Sequence, residues 1–323
     1  MKMKKKICIT GSAGFIGSAL VKWLHKKYNI IGIDKVHPPK DLLNIKNYIH
    51  YQYDITKRLP NEEDIYAVIH LAARPGVRDS HELFAEVCSD NIVGTQKVID
   101  KCITSWKPKK LLISSSSSVY GDNGKDGHAL KEDESVSPRS PYAMSKVAGE
   151  QLVTTYKNCG MLEGIDIASL RFFTVYGPNQ RNELAIRAFT DWILRDKPII
   201  LYGDGLVKRD FTHIDDICSG IEELLRWKNF KHDVYNIGSG RNISIGKIIQ
   251  MICEYTGKDV TINYQARNPY DVDCTKADIS RIYEDTSNYL ISGKFKGGWK
   301  PKIKFEDGLK EQIEWQKKNL KLD

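Results

Sequence analysis

Short aliphatic and β-branched runs alternate with stretches of helical periodicity through the first half of this 323-residue chain. Residues 6–10, 30–34, 48–54, 67–71, 110–114 and 165–172 read as strands, and 92–102 and 142–156 place apolar side chains at helical spacing. Strands and helices in alternation predict a parallel sheet wrapped by crossover helices, an α/β doubly wound Rossmann-type fold. After Tyr176-Gly-Pro178 the rhythm changes: a helix is expected over 186–194, a short strand over 199–202 and turns at Gly203 and Gly205. A smaller C-terminal α/β domain therefore begins here. Helix 214–227 and strand 234–237 have the pattern to return to the first sheet, whereas 244–255 and 305–317 read as helices of the smaller unit. The expected division is a first domain of residues 1–174 with 210–238, and a second within 175–323, mainly 175–209 and 239–323.

Composition narrows the function classes. With 41% hydrophobic and 28% charged residues the chain is ordinary globular material. No run approaches the roughly 20 apolar residues of a membrane span, and the basic start meets only a three-residue apolar patch before the glycines, so no secretory core is expected. Seven scattered cysteines without a close pair suit neither a disulfide framework nor a zinc site. A cytoplasmic protein without membrane association or a metal site is expected. Half of the net charge of +8 is matched by Lys2, Lys4, Lys5 and Lys6, and no basic stripe interleaves with aromatics in mid-chain, which argues against nucleic acid.

Gly11-Ser-Ala-Gly-Phe-Ile-Gly17 joins the first strand to the first helix. Glycines at 11, 14 and 17 let the backbone turn sharply and approach a pyrophosphate at the helix N-terminus, although the spacing alone is equally that of a tight turn. Asp34, at the end of the second strand, changes the balance: an acid there accepts from the adenosine ribose hydroxyls and repels a 2′-phosphate, favouring NAD over NADP, with neighbouring Lys35 arguing the other way. Asp54 and Ile55 end the third strand, where they either meet the adenine or form a polar strand end. Tyr142 and Lys146 lie at i and i+4 on one helix face, an arrangement in which an ammonium favours the phenolate, or simply an exposed pair. The serine run 114–118 at the carboxyl edge of a strand favours the catalytic reading, because ligands of such sheets sit at that edge.

Together with His70-Leu-Ala-Ala73, Asn91, Tyr142-x-x-x-Lys146, Arg171-Phe-Phe-Thr174 and Lys208-Arg-Asp-Phe-Thr-His213, these motifs resemble the extended short-chain dehydrogenase/reductases, specifically the nucleotide-sugar 4-epimerases, over essentially the whole chain. The resemblance implies Ser116, Tyr142 and Lys146 as catalytic residues. It implies NAD held by Gly11, Gly14, Phe15, Ile16, Gly17, Asp34, Asp54, Ile55, Leu71, Ala72, Ala73 and Asn91, with Tyr142 and Lys146. Tyr142 would take the C4 hydroxyl proton as hydride leaves C4, and the 4-keto sugar would turn over and be reduced on its other face.

Dehydratases of this kind carry an Asp-Glu pair where this chain has Ser117 and Ser118, and decarboxylases a glutamate at the position of Ser118, so epimerisation is favoured. The stretch from His70 to Ser80, and Thr174 in place of an asparagine, are similar to UDP-glucuronate 4-epimerases. Ser117, Ser118 and Thr174 offer neutral donors to a C6 carboxylate, with Arg78 and Ser80 either contributing from the facing loop or serving only as loop residues. Suppressing loss of CO₂ from the β-keto acid would fall to these contacts. Arg181, Arg209 and Arg267 are expected on the UDP moiety, where guanidinium groups match phosphate oxygens. UDP-glucose or UDP-N-acetylglucosamine epimerisation, and a non-catalytic NAD sensor, are the alternatives. By the same resemblance a homodimer is expected, through helices 92–102 and 142–156.

Overall fold

The computed structural model describes residues 4–289 and 295–320. Seven parallel strands form one sheet: β1 (Lys6–Thr10), β2 (Asn29–Asp34), β3 (Tyr48–Gln52), β4 (Ile65–His70), β5 (Lys110–Ser116), β6 (Asp166–Phe172) and β7 (Val234–Ile237). Their spatial order is β7-β6-β5-β4-β1-β2-β3. The order reverses at β1, so a crevice opens between the ends of β1 and β4, where an open α/β sheet binds its ligands.

Period-two alternation explains why both faces are covered. Ile7 and Ile9 of β1 pack with Leu112 and Leu170 against Leu20, Val21 and Leu24 of helix Phe15–Leu24 and against Ile217 and Ile221 of helix Ile214–Arg226. Cys8, between them, faces the other way, with Leu111 and Ile113, toward Val98 and Ile99 of helix Gly94–Lys101 and Val153 of helix Pro141–Asn158. A separate core of Phe189, Ile193, Leu201, Ile248, Ile252 and Ile313 joins helices Ala185–Leu194, Ile245–Thr256 and Phe305–Asn319 to a two-stranded parallel sheet of Ile199–Tyr202 and Ile262–Gln265.

Most expected elements occur with small shifts at their ends. The departure is helix 92–102, which belongs to a longer helical run. It begins with Phe84–Cys88, passes through a π turn at Ser89–Val93, continues as Gly94–Lys101 and closes in a second π turn at Cys102–Trp106. Each π turn inserts a residue and rotates the apolar face, which breaks a strict 3.6-residue reading. Strand β5 also runs two residues further than expected, to Ser116, so the first three serines of the run are part of the sheet.

Candidate functional site

A cavity of about 650 Å³ lies along the carboxyl ends of β1 to β6. At one end the loop after β1 turns at Gly11, whose φ is +72° and whose amide donates to the Ile33 carbonyl at 2.7 Å. A Cβ on Gly11 would stand 2.6 Å from the Ala72 amide nitrogen, and one on Gly17 would stand 2.0 Å from the Gly11 carbonyl oxygen, so no other residue fits either position. The helix that follows is capped by Gly14, which offers no side-chain acceptor, and its first N–H groups remain available to an anion. Asp34 accepts from the amides of Ala13 at 3.0 Å and Val36 at 3.2 Å, tying β2 to the glycine loop. Burial acts to raise the pKa of Asp54, but hydrogen bonds from the Thr56 hydroxyl and amide, with Lys57 and Lys35 nearby, hold it below the ordinary carboxylate value.

Gly14, Phe15, Ile16, Gly17, Ile55, Leu71, Ala72 and Ala73 complete the apolar wall expected for a dinucleotide. These residues fit NAD: a glycine cradle closed to any Cβ, a helix start for the pyrophosphate and an acid at the end of β2.

Asn91 does not line the cavity; it stands behind it. Its Oδ1 accepts from the Arg74 amide at 2.6 Å, while its Nδ2 donates to the Arg74 carbonyl at 3.1 Å and to Ser145 Oγ at 2.9 Å. The Asn91 carbonyl accepts from Thr95 Oγ1, which leaves that oxygen to accept from His70 Nε2 at 2.9 Å. His70 Nδ1 then accepts from Thr10 Oγ1 at 2.7 Å, and Thr10 Oγ1 accepts from the Ala72 amide at 3.2 Å. Every proton in this buried relay has one consistent placement, with His70 neutral. Burial drives the His70 pKa down to about 3, with the Lys146 charge acting in the same sense. The sequence reading saw His70 only as part of a motif; its two hydroxyl partners lie 60 and 25 residues away.

The residues expected to be catalytic meet at the end of β5. Ser140 caps helix Pro141–Asn158 by accepting from the Ala143 amide at 3.1 Å, and Pro141 opens it, which brings Tyr142 into the first turn beside the cavity. Three successive serines of β5 then meet the helix residues at i, i+4 and i+8. The Ser116 hydroxyl acts on the Tyr142 phenol, lowering its pKa against burial. The Ser114 carbonyl and hydroxyl accept from Lys146 Nζ at 3.0 and 3.2 Å. Ser115 donates to Glu150 Oε1 at 2.5 Å, and Glu150 is held in a buried bidentate pair by Arg171 at 2.9 and 2.8 Å. Burial pushes Lys146 down to about 8, partly offset by Glu150.

The expectation that Lys146 lowers the Tyr142 pKa is corrected. Burial raises Tyr142 above its ordinary value, opposed by the Ser116 hydroxyl and the Arg181 charge, while the Lys146 ammonium is turned to Ser114.

At the other end Ser117, Ser118, Thr174, Arg181 and Arg209 line the cavity with Ser116, and Ser118 Oγ donates to Ser116 Oγ at 2.9 Å. Three expected contacts do not reach the lining. Ser80 is buried and donates to the Val77 carbonyl at 2.7 Å. Arg78 pairs with Asp271 at 2.9 Å and stacks over Tyr202. Arg267 is spent on the Asp271 carbonyl at 2.8 Å and the Asp273 carboxylate. In their place the lining includes Tyr270, Asp271, Val272, Thr275 and Arg139, which the sequence reading missed. His81 stacks on Tyr270 at 3.8 Å and Arg139 donates to the Pro269 carbonyl at 2.8 Å, so loop 266–273 is clasped to the loops after β4 and β5. An aromatic followed by an acid in a loop carries no periodic signal, and only the partners make it legible.

With this geometry in view, the chain belongs to the NAD dependent epimerase/dehydratase family, whose model matches residues 7–238. It is 37% identical, over 97% of each chain, to UDP-glucuronate 4-epimerase of Thermodesulfobacterium geofontis. Among solved structures, MoeE5 in complex with UDP-glucuronic acid and NAD superposes with a TM-score of 0.88 at 31% identity, covering 98% of this chain and all of the other. UDP-glucuronic acid 4-epimerase from Bacillus cereus, in complex with UDP-glucuronic acid and NAD, superposes at 0.84 with 35% identity and the same coverage.

Proposed function

We propose that this protein is an NAD-dependent isomerase that interconverts UDP-glucuronate and UDP-galacturonate by epimerisation at C4. The observation that carries the reading is the sugar end of the cavity, where the hydroxyls of Ser116, Ser117, Ser118 and Thr174 converge next to Tyr142. Neutral donors hold a C6 carboxylate in more than one orientation, as a sugar that must present both faces requires, and a glutamate among them would repel it. Residues 1–174 with 210–238 carry the dinucleotide, and 175–209 with 239–323 carry the nucleotide sugar.

NAD, when bound, would supply the hydride acceptor for C4 and the donor for its return. Tyr142 takes the C4 hydroxyl proton and later gives it back, with Ser116 holding the same oxygen. Lys146, charged below its folded pKa of about 8 and held by Ser114, helps to hold the dinucleotide. Arg181 and Arg209 neutralise the diphosphate, and Ser117, Ser118 and Thr174 hold the carboxylate out of alignment with the C4 carbonyl so that CO₂ is retained. Removing them in Ser118→Ala and Thr174→Ala is expected to release a UDP-pentose alongside the epimer; unchanged product purity in both variants refutes that role.

We propose that the protein works in the cytoplasm, in keeping with seven scattered cysteines without a close pair. We propose a homodimer through helices 92–102 and 142–156, with Val93 exposed on the first and Phe84 exposed beside it, a state that light scattering reads directly. The deciding experiment incubates the protein with UDP-glucuronate, UDP-glucose and UDP-N-acetylglucosamine separately, without added reductant, and reads products by anomeric proton NMR. UDP-galacturonate alone supports the proposal. Conversion of only the neutral sugars refutes the argument from Thr174 and the serines while keeping the mechanism.

A further inference from the structure

Strand β2 ends in Asp34 followed by Lys35, an acid and a base side by side where a dinucleotide presents its adenosine ribose. From sequence these two residues pull in opposite directions, since a cation at this point suits the 2′-phosphate of NADP. The Lys35 ammonium is already engaged: its Nζ lies 2.9 Å from Asp90 Oδ2. Arg74 Nε reaches the same oxygen at 3.0 Å.

Lys35 follows β2 and Arg74 follows β4, and these strands flank β1 in the sheet, so the ion bridge runs between the two sides of the glycine loop. Lys35 and Asp90 both line the cavity. Asp90 is fixed from behind. It lies in the π turn Ser89–Val93 next to Asn91, whose amide grips both backbone groups of Arg74. The formal charges of Asp34, Lys35, Arg74 and Asp90 cancel, and without Asp90 the group carries a net positive charge.

We infer that Asp90 is a second determinant of coenzyme choice: braced by Arg74 and holding Lys35, it denies the lysine that lines the cavity to a 2′-phosphate and leaves Asp34 to select NAD. Asp34 alone would compete with a free lysine one residue away. The carboxylate on the helical run removes that competition, and it does so from a position 55 residues distant in sequence. A guanidinium or ammonium already paired with a carboxylate must give up that partner before it can take a phosphate.

The inference rests on the cavity being the dinucleotide site, and NAD retention by the unsubstituted protein tests that premise separately. Full-length protein is incubated with equimolar NAD+ and NADP+ until the retained ratio is constant, then desalted, and the nucleotides are released with acid and quantified. For Asp90→Asn the NADP-to-NAD ratio is expected to rise by about fivefold, the scale of an ion pair near the surface. Adding Lys35→Ala to it should abolish most of the gain. Lys35→Ala alone, an exposed change that leaves the core untouched, should shift the ratio by less than about twofold, because that charge is already committed. An unchanged ratio in Asp90→Asn, a gain that survives Lys35→Ala, or a several-fold drop in NADP retention with Lys35→Ala alone would each overturn the assignment.

Discussion

The two ends of the cavity are built by different means. At the end proposed as catalytic, Ser114, Ser115 and Ser116 sit on a central strand, and Tyr142, Lys146 and Glu150 on one face of an 18-residue helix, with the partnering polar atoms mostly out of solvent. At the other end, loop 266–273 is fastened by an Arg78–Asp271 pair, a His81–Tyr270 stack and an Arg139–carbonyl bond, all made at the surface by exposed or half-buried side chains. A buried network with one satisfied geometry is costly to disturb, whereas exposed loop contacts are each worth little and exchange readily. The difference teaches where each task belongs. Proton transfer tolerates little displacement and is placed on secondary structure, and a site that must admit, turn over and release a nucleotide sugar is closed by contacts that open cheaply.

The largest effect is expected from Tyr142→Phe, which leaves the helix and its packing intact and removes the acid-base group: kcat should fall by about 10³-fold, with the melting temperature close to that of the parent. Residual activity within tenfold would mean that the phenol is not the proton carrier. For the parent, Lys146 is expected to set a limb of the pH profile. Its ammonium is lost as pH rises through about 8, so kcat should decline on the alkaline side from there instead of near the ordinary lysine value of about 10.4.

Glu150→Gln tests the anchoring of that end. It strips the carboxylate from a buried bidentate pair and leaves the Arg171 guanidinium without its counter-charge, a change of about 3–5 kcal/mol in stability measured by denaturant unfolding. The companion Glu150→Met/Arg171→Met removes both charges together and should recover a large part of the loss. A Glu150→Gln loss below about 1 kcal/mol would place the pair among ornaments of the fold.

His70 provides a test whose sign is set by its burial. In the folded chain it titrates near 3 and in the unfolded chain near 6.5, so below pH 6.5 the unfolded state binds a proton that the native state refuses. Stability should therefore fall by up to about 1.4 kcal/mol for each pH unit between roughly 6.5 and 3, a slope that His70→Gln should lessen. An acid limb of equal slope in the variant would show that His70 is not the group responsible.

Much of this was legible in the sequence, and the exceptions share a cause. Strand and helix periods, the glycine spacing and the Tyr142–Lys146 register are local patterns, and each element they predicted is present. The early start of the helical run at Phe84 escaped because two π turns break the period on which helix reading depends. Ser115 was seen as one hydroxyl among five, and its link to Glu150 became visible only when β5 was set against the helix. Asp90, Tyr270 and Asp271 escaped for a stronger reason. Their significance lies in partners 55, 189 and 193 residues away, and no spacing rule brings His81 to Tyr270 or Arg78 to Asp271.

The smallest effect is expected at that loop clasp, and it separates the two ends most clearly. Arg78 contributes a single exposed ion pair to Asp271 and a guanidinium over the Tyr202 ring at 4.6 Å, without lining the cavity. Arg78→Ala should cost less than about 1 kcal/mol of stability and leave kcat nearly unchanged, while KM for the nucleotide sugar rises by about threefold as loop 266–273 loses one of its ties. Arg78→Lys keeps the charge but gives up the planar stacking surface, so its KM should fall between the two. Added salt screens the pair and should bring parent and Arg78→Ala together, because the contact is exposed. A kcat loss as large as that of Tyr142→Phe would mean that the clasp reaches the reacting carbon, and the distinction between a rigid catalytic end and a yielding sugar-nucleotide end would then be wrong.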